Sequence, residues 1–355
     1  MELDFEDLMD QAYDLPPGAA KLEVLEAAVR IADAEGDIDN AFEARGEIVQ
    51  TAIFHGYPLK AIIAFSWQLG QYDQDPDNYD SSDLMWSYKW IVGNISNFPE
   101  IPMAQIQELV EDLGKRYKEH GFSRRTYLYY RSRLALSHGK LDEAKDFLEQ
   151  LMKVERDYMT DCIACEQNHI VELYAQLGED EQALKAAEPI LSGKMKCAEV
   201  PHITLPHLLS PLLRQGSPEE AQKLHTKGYR LVKGKRDLFE SVAQHINYLT
   251  DINPAKAVEV VELHMAFSLD HENPYEVMRF NLFTARLLKK LLEEGSETKL
   301  RLPAFFLAAH EDTSLPALAA HFEALALSAA QRFDARNGND YYSKNAASYL
   351  QVFNK

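Results

Sequence analysis

Apolar residues recur along most of this chain with the spacing of amphipathic helices. Starting from Leu25, for example, Ala28, Val29 and Ala32 lie at i+3, i+4 and i+7, which places them on one helical face. Alternating apolar and polar runs of the kind typical of β-strands are nearly absent. The pattern predicts an all-α protein of about 14–16 helices.

A glycine followed five residues later by an alanine marks many of the predicted helix boundaries. The copies are Gly36–Ala41, Gly56–Ala61, Gly139–Ala144, Gly178–Ala183 and Gly216–Ala221, and Ile252–Ala257 keeps only the alanine. The intervals between residues 139, 178, 216 and 252 are 39, 38 and 36 residues. We expect each glycine to end one helix in a left-handed conformation and each alanine to let the next helix approach closely.

This punctuation resembles that of tetratricopeptide repeats, which are helix–turn–helix units of about 34 residues. Tyr174, four residues before Gly178, also stands where that family usually has an aromatic residue. The resemblance implies a right-handed α-solenoid of antiparallel helix pairs whose concave face binds a protein or peptide. We divide the chain into degenerate repeats (1–120), tetratricopeptide-like repeats (121–295) and C-terminal capping helices (296–355), with two closing helices over 316–335 and 340–353.

The charge is strongly acidic and unevenly distributed. The chain carries 37 Lys and Arg against 56 Asp and Glu, a net charge of −19, which argues against duplex nucleic acid as a general partner. Residues 1–50 contain 14 acids and three bases, and form either a solvated helical face or a surface for a basic partner. Lys223, Lys227 and Arg230 share one helical face, which is either solvated or a candidate partner-binding surface.

The sequence favours a cytoplasmic protein without a disulfide framework. The longest apolar runs, such as Leu302–Ala309, are far shorter than the roughly 20 residues of a membrane span. The first ten residues, MELDFEDLMD, lack the basic and apolar regions of a secretory signal. The odd number of cysteines, three, argues against structural disulfides.

The cysteines carry the most distinctive chemistry in the sequence. Cys162, Cys165 and Cys197 lie within 36 residues, and Cys162 and Cys197 are separated by nearly one repeat period. Equivalent positions in successive repeats are neighbours in a solenoid, so the three thiols are expected to converge. Soft thiolates with an imidazole favour zinc. We predict a structural zinc site with His202 as the fourth ligand and His169 as the alternate.

Other interpretations of these residues remain open. The cysteines also fit small buried apolar residues or a redox pair, and an open zinc position would make Glu166 or Glu199 a candidate general base. The sequence contains no HExxH, GxxxxGK[ST], GxGxxG or GxSxG motif. Aromatic residues are explained either by core packing or by a groove that anchors a peptide; they are Trp67, Trp86, Tyr88, Trp90, Tyr127, Tyr129 and Tyr130.

Three functions follow as hypotheses. The first is a non-catalytic scaffold that binds a protein or peptide on its concave face and is stabilised by structural zinc. The second is a zinc-dependent enzyme or sensor with an open coordination position. The third is an acidic regulatory or inhibitory protein that masks a basic partner.

Overall fold

The structure, a computed structural model, describes residues 4–351, and every regular element in that range is helical. The helices are α1 (Phe5–Asp14), α2 (Ala19–Glu35), α3 (Ile38–Ile53), α4 (Pro58–Gln74), α5 (Ser81–Ile95), α6 (Met103–Glu119), α7 (Arg125–Ser137), α8 (Leu141–Leu151), α9 (Ile163–Leu177), α10 (Asp180–Leu191), α11 (Thr204–His207), α12 (Leu209–Arg214), α13 (Pro218–Val232), α14 (Phe239–Ile252), α15 (Pro254–His264), α16 (Phe267–Asp270), α17 (Pro274–Glu293), α18 (Ala304–Ala309), α19 (Leu315–Asn337) and α20 (Tyr341–Gln351). Short 3₁₀ turns occupy Pro76–Asn78 and Arg236–Leu238.

The all-α prediction is confirmed. The described residues contain twenty α-helices, which is more than the 14–16 expected, and four of them, α11, α12, α16 and α18, have six residues or fewer. The two predicted closing helices correspond to α19 and α20, although residues 352–353 of the second lie outside the described residues. None of the helices in the described part of the chain combines the length and apolarity that crossing a membrane requires.

The glycine and alanine positions have the roles that the sequence indicated. All five glycines of the repeated motif have positive φ, from 71° at Gly36 to 81° at Gly56, a region that side chains with a Cβ adopt only with strain. The alanine that follows in each motif, and Ala257, is at most 1% exposed. Small side chains therefore lie where the second helix of each pair meets its neighbours.

Helices that follow one another in the chain also pack against one another. Neighbouring pairs in contact include α1 with α2, α3 with α4, α7 with α8 and α9 with α10, and α17 packs between α14 and α19. The apolar interior is divided into two large clusters, one built mainly from α1 to α9 and the other from α9 to α20. The three-part division of the chain stays a prediction.

The C-terminal helices return to contact the middle of the chain. The guanidinium of Arg336 on α19 donates to the backbone carbonyls of Ser96 (2.9 Å) and Phe98 (3.0 Å) after α5. The hydroxyl of Tyr342 on α20 donates to the carbonyl of Ser137 at the end of α7 (2.6 Å). These contacts therefore join the two C-terminal helices to the ends of α5 and α7, which lie much earlier in the chain.

Candidate metal and ligand site

Helices from distant parts of the chain line an open cavity of about 860 Å³. Its wall is built from α5, α7, α9, α14, α17 and α20 together with the segments before α9 and α11. Aromatic side chains form much of this wall: Trp86, Trp90, Tyr129, Tyr130, Tyr275, Tyr341, Tyr342 and Tyr349. Polar and charged side chains form about as much of the wall as apolar ones do, and Glu172, Arg214, Glu276 and Arg279 are among them.

Three thiols converge on the wall of this cavity. The Sγ atoms of Cys162, Cys165 and Cys197 all lie within 4.8 Å of one another. Cys165 Sγ is 2.8 Å from Cys162 Sγ and 3.6 Å from Cys197 Sγ. The predicted convergence of the cysteines is therefore present, and the chain offers three soft ligands at one point.

Local backbone structure explains how the sequence places these thiols. Cys162 is the N-cap of α9, and its sulfur accepts the backbone N–H of Cys165 in the first helical turn at 3.2 Å. Cys197 lies in the irregular segment between α10 and α11, where its sulfur accepts the N–H of Val200 at 3.4 Å. Backbone N–H groups that point at sulfur stabilise its anionic, metal-binding form.

The spacing of the sulfurs fits a tetrahedral metal ion. Zinc–sulfur bonds of about 2.3 Å at tetrahedral angles place two sulfurs about 3.8 Å apart. The Cys165–Cys197 separation of 3.6 Å already has this value, and the Cys162–Cys165 separation of 2.8 Å would need to open by about 1 Å. The three cysteines are thus able to hold a metal ion, and the donor type favours a thiophilic one.

The thiols perturb one another's ionisation. The hydrogen bond from the Cys165 side chain lowers the pKa of Cys162 to about 6, whereas the neighbouring Cys162 sulfur raises the pKa of Cys165. Burial raises the pKa of Cys197. Placing three negative charges together is therefore unfavourable unless a cation neutralises them, as a bound divalent ion does.

The two predicted histidine ligands lie outside the group that the sulfurs form. His169 Nε2 is 2.8 Å from the hydroxyl of Ser132, and its ring contacts that of Tyr129 edge to face at 5.4 Å. Burial lowers the pKa of His169 to about 3 and that of His202 below its usual value, so both rings are neutral at pH 7. His202 as the fourth ligand, with His169 as the alternate, stays a prediction.

The two candidate general bases have different environments. Glu166 is buried and forms ion pairs with Arg125, at 2.8 Å, and with Arg156. Its carboxylate therefore has a structural role, because it holds these two guanidinium groups. Glu199 lines the cavity beside Cys197, and burial raises the pKa of its carboxyl. Of these two glutamates, only Glu199 therefore combines an ionisable carboxyl near the thiols with access to the cavity.

Charged residues that the sequence did not single out also occupy this region. Lys89 is fully buried; its Nζ donates to the Met159 carbonyl at 3.0 Å and lies 3.7 Å from the carboxylate of Asp161. The same ammonium is 3.3 Å from the ring centroid of Trp86. Burial lowers the pKa of Lys89 and raises that of Asp161.

An arginine on α7 also faces the cavity. The guanidinium of Arg133 lies 5.6 Å from the ring of Tyr129 and 5.8 Å from that of Tyr130, and Nη1 donates to the Tyr129 hydroxyl at 3.4 Å. The side chain is exposed, and it lines the cavity. In the sequence neither Arg133 nor Lys89 differs from ordinary charged residues on a helical surface.

The basic face of α13 lies away from this site. Lys223, Lys227 and Arg230 are all exposed, whereas Ala221, Leu224, His225 and Gly228 on the same helix are buried. The Lys223 ammonium pairs with Glu220 at 3.1 Å. The three basic side chains share a solvent-facing surface, and their role in partner binding stays a prediction.

Comparison with known proteins identifies no family for this chain. No protein-family description and no curated protein matches it.

Proposed function

We propose that this chain is a tetratricopeptide-like, right-handed α-solenoid that binds a protein or peptide partner in its central cavity. The regular recurrence of glycine followed five residues later by alanine and the packing of consecutive helices support the solenoid. The cavity then corresponds to the concave face, which the contacts of α19 and α20 with the middle of the chain partly enclose.

The cavity, with its aromatic lining, is the observation that carries this proposal. Its volume of about 860 Å³ falls within the range of pockets that bind small ligands or a few peptide residues. Tyrosine, tryptophan and arginine contribute most strongly to binding energy at protein interfaces, and Trp86, Trp90, Tyr129 and Arg133 all line this cavity.

The second part of the proposal is a structural zinc ion held by Cys162, Cys165 and Cys197. Cys162 is the N-cap of α9, Cys165 lies in the first turn of that helix, and Cys197 lies in the segment before α11. An ion there would add a link between two successive helix pairs, which are already joined by the Thr204–Asn168 hydrogen bond and the Arg214–Asp180 ion pair. Metal binding would also add to folding stability. Reduced thiols of this kind are typical of the cytoplasm, where we place the protein.

Selection from a display library of random peptides of about ten residues tests the binding proposal. We expect peptides enriched on the full-length chain to bind at least ten-fold more weakly to Arg133→Gln and to Trp90→Ala. Lys227→Ala, on the exposed face of α13, is the matched control and should bind as the unaltered chain does. Enriched peptides whose affinity depends on Lys227 but not on the cavity residues would place the binding surface on α13 and contradict the proposal.

A zinc-dependent enzyme or sensor is the second candidate function. It is favoured by one observation, that all three cysteines and Glu199 line the same cavity. Removal of a structural zinc ion lowers stability, whereas a zinc ion that serves as a sensor can leave without this effect. Zinc that a chelator removes without a change in melting temperature would therefore favour the sensor. The third hypothesis, masking of a basic partner by the acidic N-terminal region, predicts binding that weakens steeply as salt concentration rises.

A further inference from the structure

A metal ion at the proposed site would take three ligands from the protein, namely the sulfurs of the three cysteines. Cys162, Cys165 and Cys197 each line the central cavity, so the space in front of the sulfurs is part of that cavity. Three sulfurs satisfy only three of the four positions that zinc prefers. The identity of the fourth donor therefore decides whether the ion is enclosed or accessible.

The nearby side chains with a donor atom either bond to other partners or lie outside the group that the three sulfurs form. His169 Nε2 contacts the Ser132 hydroxyl, and the Glu166 carboxylate pairs with Arg125 and Arg156. His202 is not among the residues whose ligand atoms lie within 4.8 Å of one another.

We infer that an ion held by Cys162, Cys165 and Cys197 keeps its fourth coordination position open toward the central cavity, where it binds an uncharged nitrogen donor carried by the cavity's ligand. This inference rests on the proposed metal site. It extends that site from a structural crosslink to part of the binding surface.

The charge balance of the wall selects an uncharged donor. Three thiolates around a divalent ion leave a net charge of −1 on the complex. The cavity wall nearby carries the carboxyl groups of Asp161 and Glu199 and the guanidinium of Arg133, and the buried Lys89 ammonium lies 3.7 Å from Asp161. When both carboxyl groups are ionised, these side chains add two positive and two negative charges, so the −1 of the complex is not offset. An anion bound to the ion would add negative charge to a partly buried site that already has an excess of negative charge. An imidazole or an amine nitrogen bound there adds no charge.

Cobalt(II) in place of zinc makes the coordination visible in the full-length chain. We expect charge-transfer absorption from three thiolates and the intense visible bands of a four-coordinate ion. Added imidazole should shift the visible bands along a saturable curve, and the anion azide should require at least ten-fold higher concentration for an equal response. His202→Ala is the matched variant and should have the same starting spectrum and the same imidazole affinity, as should His169→Gln.

The outcomes separate this inference from the proposed metal site. Thiolate bands with visible bands that do not respond to imidazole, or that change in His202→Ala before imidazole is added, would overturn the open position and leave the zinc proposal standing. Absence of thiolate-to-cobalt bands in the reduced chain would overturn the metal site itself. A response to azide at the concentrations that suffice for imidazole would overturn the charge argument.

Discussion

The ring of Tyr341, on the last described helix, lies directly against Gly139, in the turn between α7 and α8. A Cβ added to Gly139 would be 2.2 Å from Cγ of that ring. The same segments are joined by the side-chain amide of Asn339, which donates to the carbonyl of His138 at 2.8 Å. The turn after α7 and the start of α20 are therefore fitted to each other without space for an additional methyl group.

Gly139→Ala should destabilise the fold more than Gly178→Ala. Both glycines have φ near 70°, so each substitution introduces backbone strain of about 1–2 kcal/mol. Nothing lies within 4 Å of a Cβ at Gly178, whereas at Gly139 the Tyr341 ring must move, which adds about 1–3 kcal/mol. Urea unfolding of the two variants measures the difference, and equal losses would show that α20 does not rest on this turn.

Removing the carboxylate of Glu166 should cause a large loss of stability. Its partners Arg125 and Arg156 would then keep their charge, and Arg125 is only 8% exposed. Breaking a buried ion pair from one side costs about 3–5 kcal/mol in such settings, and we expect Glu166→Ala to fall in this range.

The exposed pair of Lys223 and Glu220 provides the control for this measurement. Lys223→Ala removes an ion pair between mobile surface side chains and should change the free energy of unfolding by less than about 0.5 kcal/mol. A loss in Glu166→Ala no larger than that in Lys223→Ala would show that the Arg125 side chain finds water when its partner is removed.

The paired histidines His225 and His245 should make stability depend on pH. Their Nδ1 atoms are 3.0 Å apart, so one ring donates and the other must accept, which requires a neutral acceptor. Burial lowers the pKa of His225 to about 4 and that of His245 well below its usual value. The stability that depends on neutral rings is therefore present above pH 6.5 and is lost as pH falls toward 4.

The size of this effect follows from the proton uptake that unfolding allows. Between pH 7 and pH 5 each such histidine accounts for about 2 kcal/mol at most. We expect His245→Gln to have a flatter dependence of the urea midpoint on pH than the unaltered chain, because glutamine takes up no proton. Parallel pH curves for the two proteins would contradict this assignment.

Removal of the proposed metal should lower the melting temperature. We expect purified reduced protein to contain about one zinc ion per chain and to lose several degrees of melting temperature on chelation. Cys197→Ser should contain less zinc and should be insensitive to the chelator. Lys196→Ala, beside it in the same segment, is the control and should behave as the unaltered chain; zinc retained in Cys197→Ser would exclude this sulfur as a ligand.

The helical fold was predictable because its signals are local. Gly178 ends α9 and Ala183 is buried in α10 for reasons contained within a few residues of each. Convergence of the thiols was predictable for a different reason, since a repeat period relates Cys162 to Cys197. The sequence reasoning placed these residues on successive helices, whereas Cys162 caps α9 and Cys197 lies in an irregular segment.

Other features depend on geometry that accumulates over the whole chain. Arg133 and Lys89 have the sequence context of ordinary surface residues, and the position of Arg133 on the cavity wall depends on helices from distant parts of the chain. The contact between Tyr342 and Ser137 joins residues 205 positions apart, and no local pattern encodes it. Small changes of angle at each helix pair decide whether such distant segments meet.

Tyr341, Tyr342 and Tyr349 are contributed to the cavity wall by the last described helix. During synthesis on the ribosome, the cysteines and Arg133 therefore emerge long before α20, which completes the wall of the cavity. Until α20 has been made, the aromatic side chains on the rest of that wall lack these three tyrosines as neighbours. A protein shortened before residue 341 would retain every proposed metal ligand and yet lack a complete chamber.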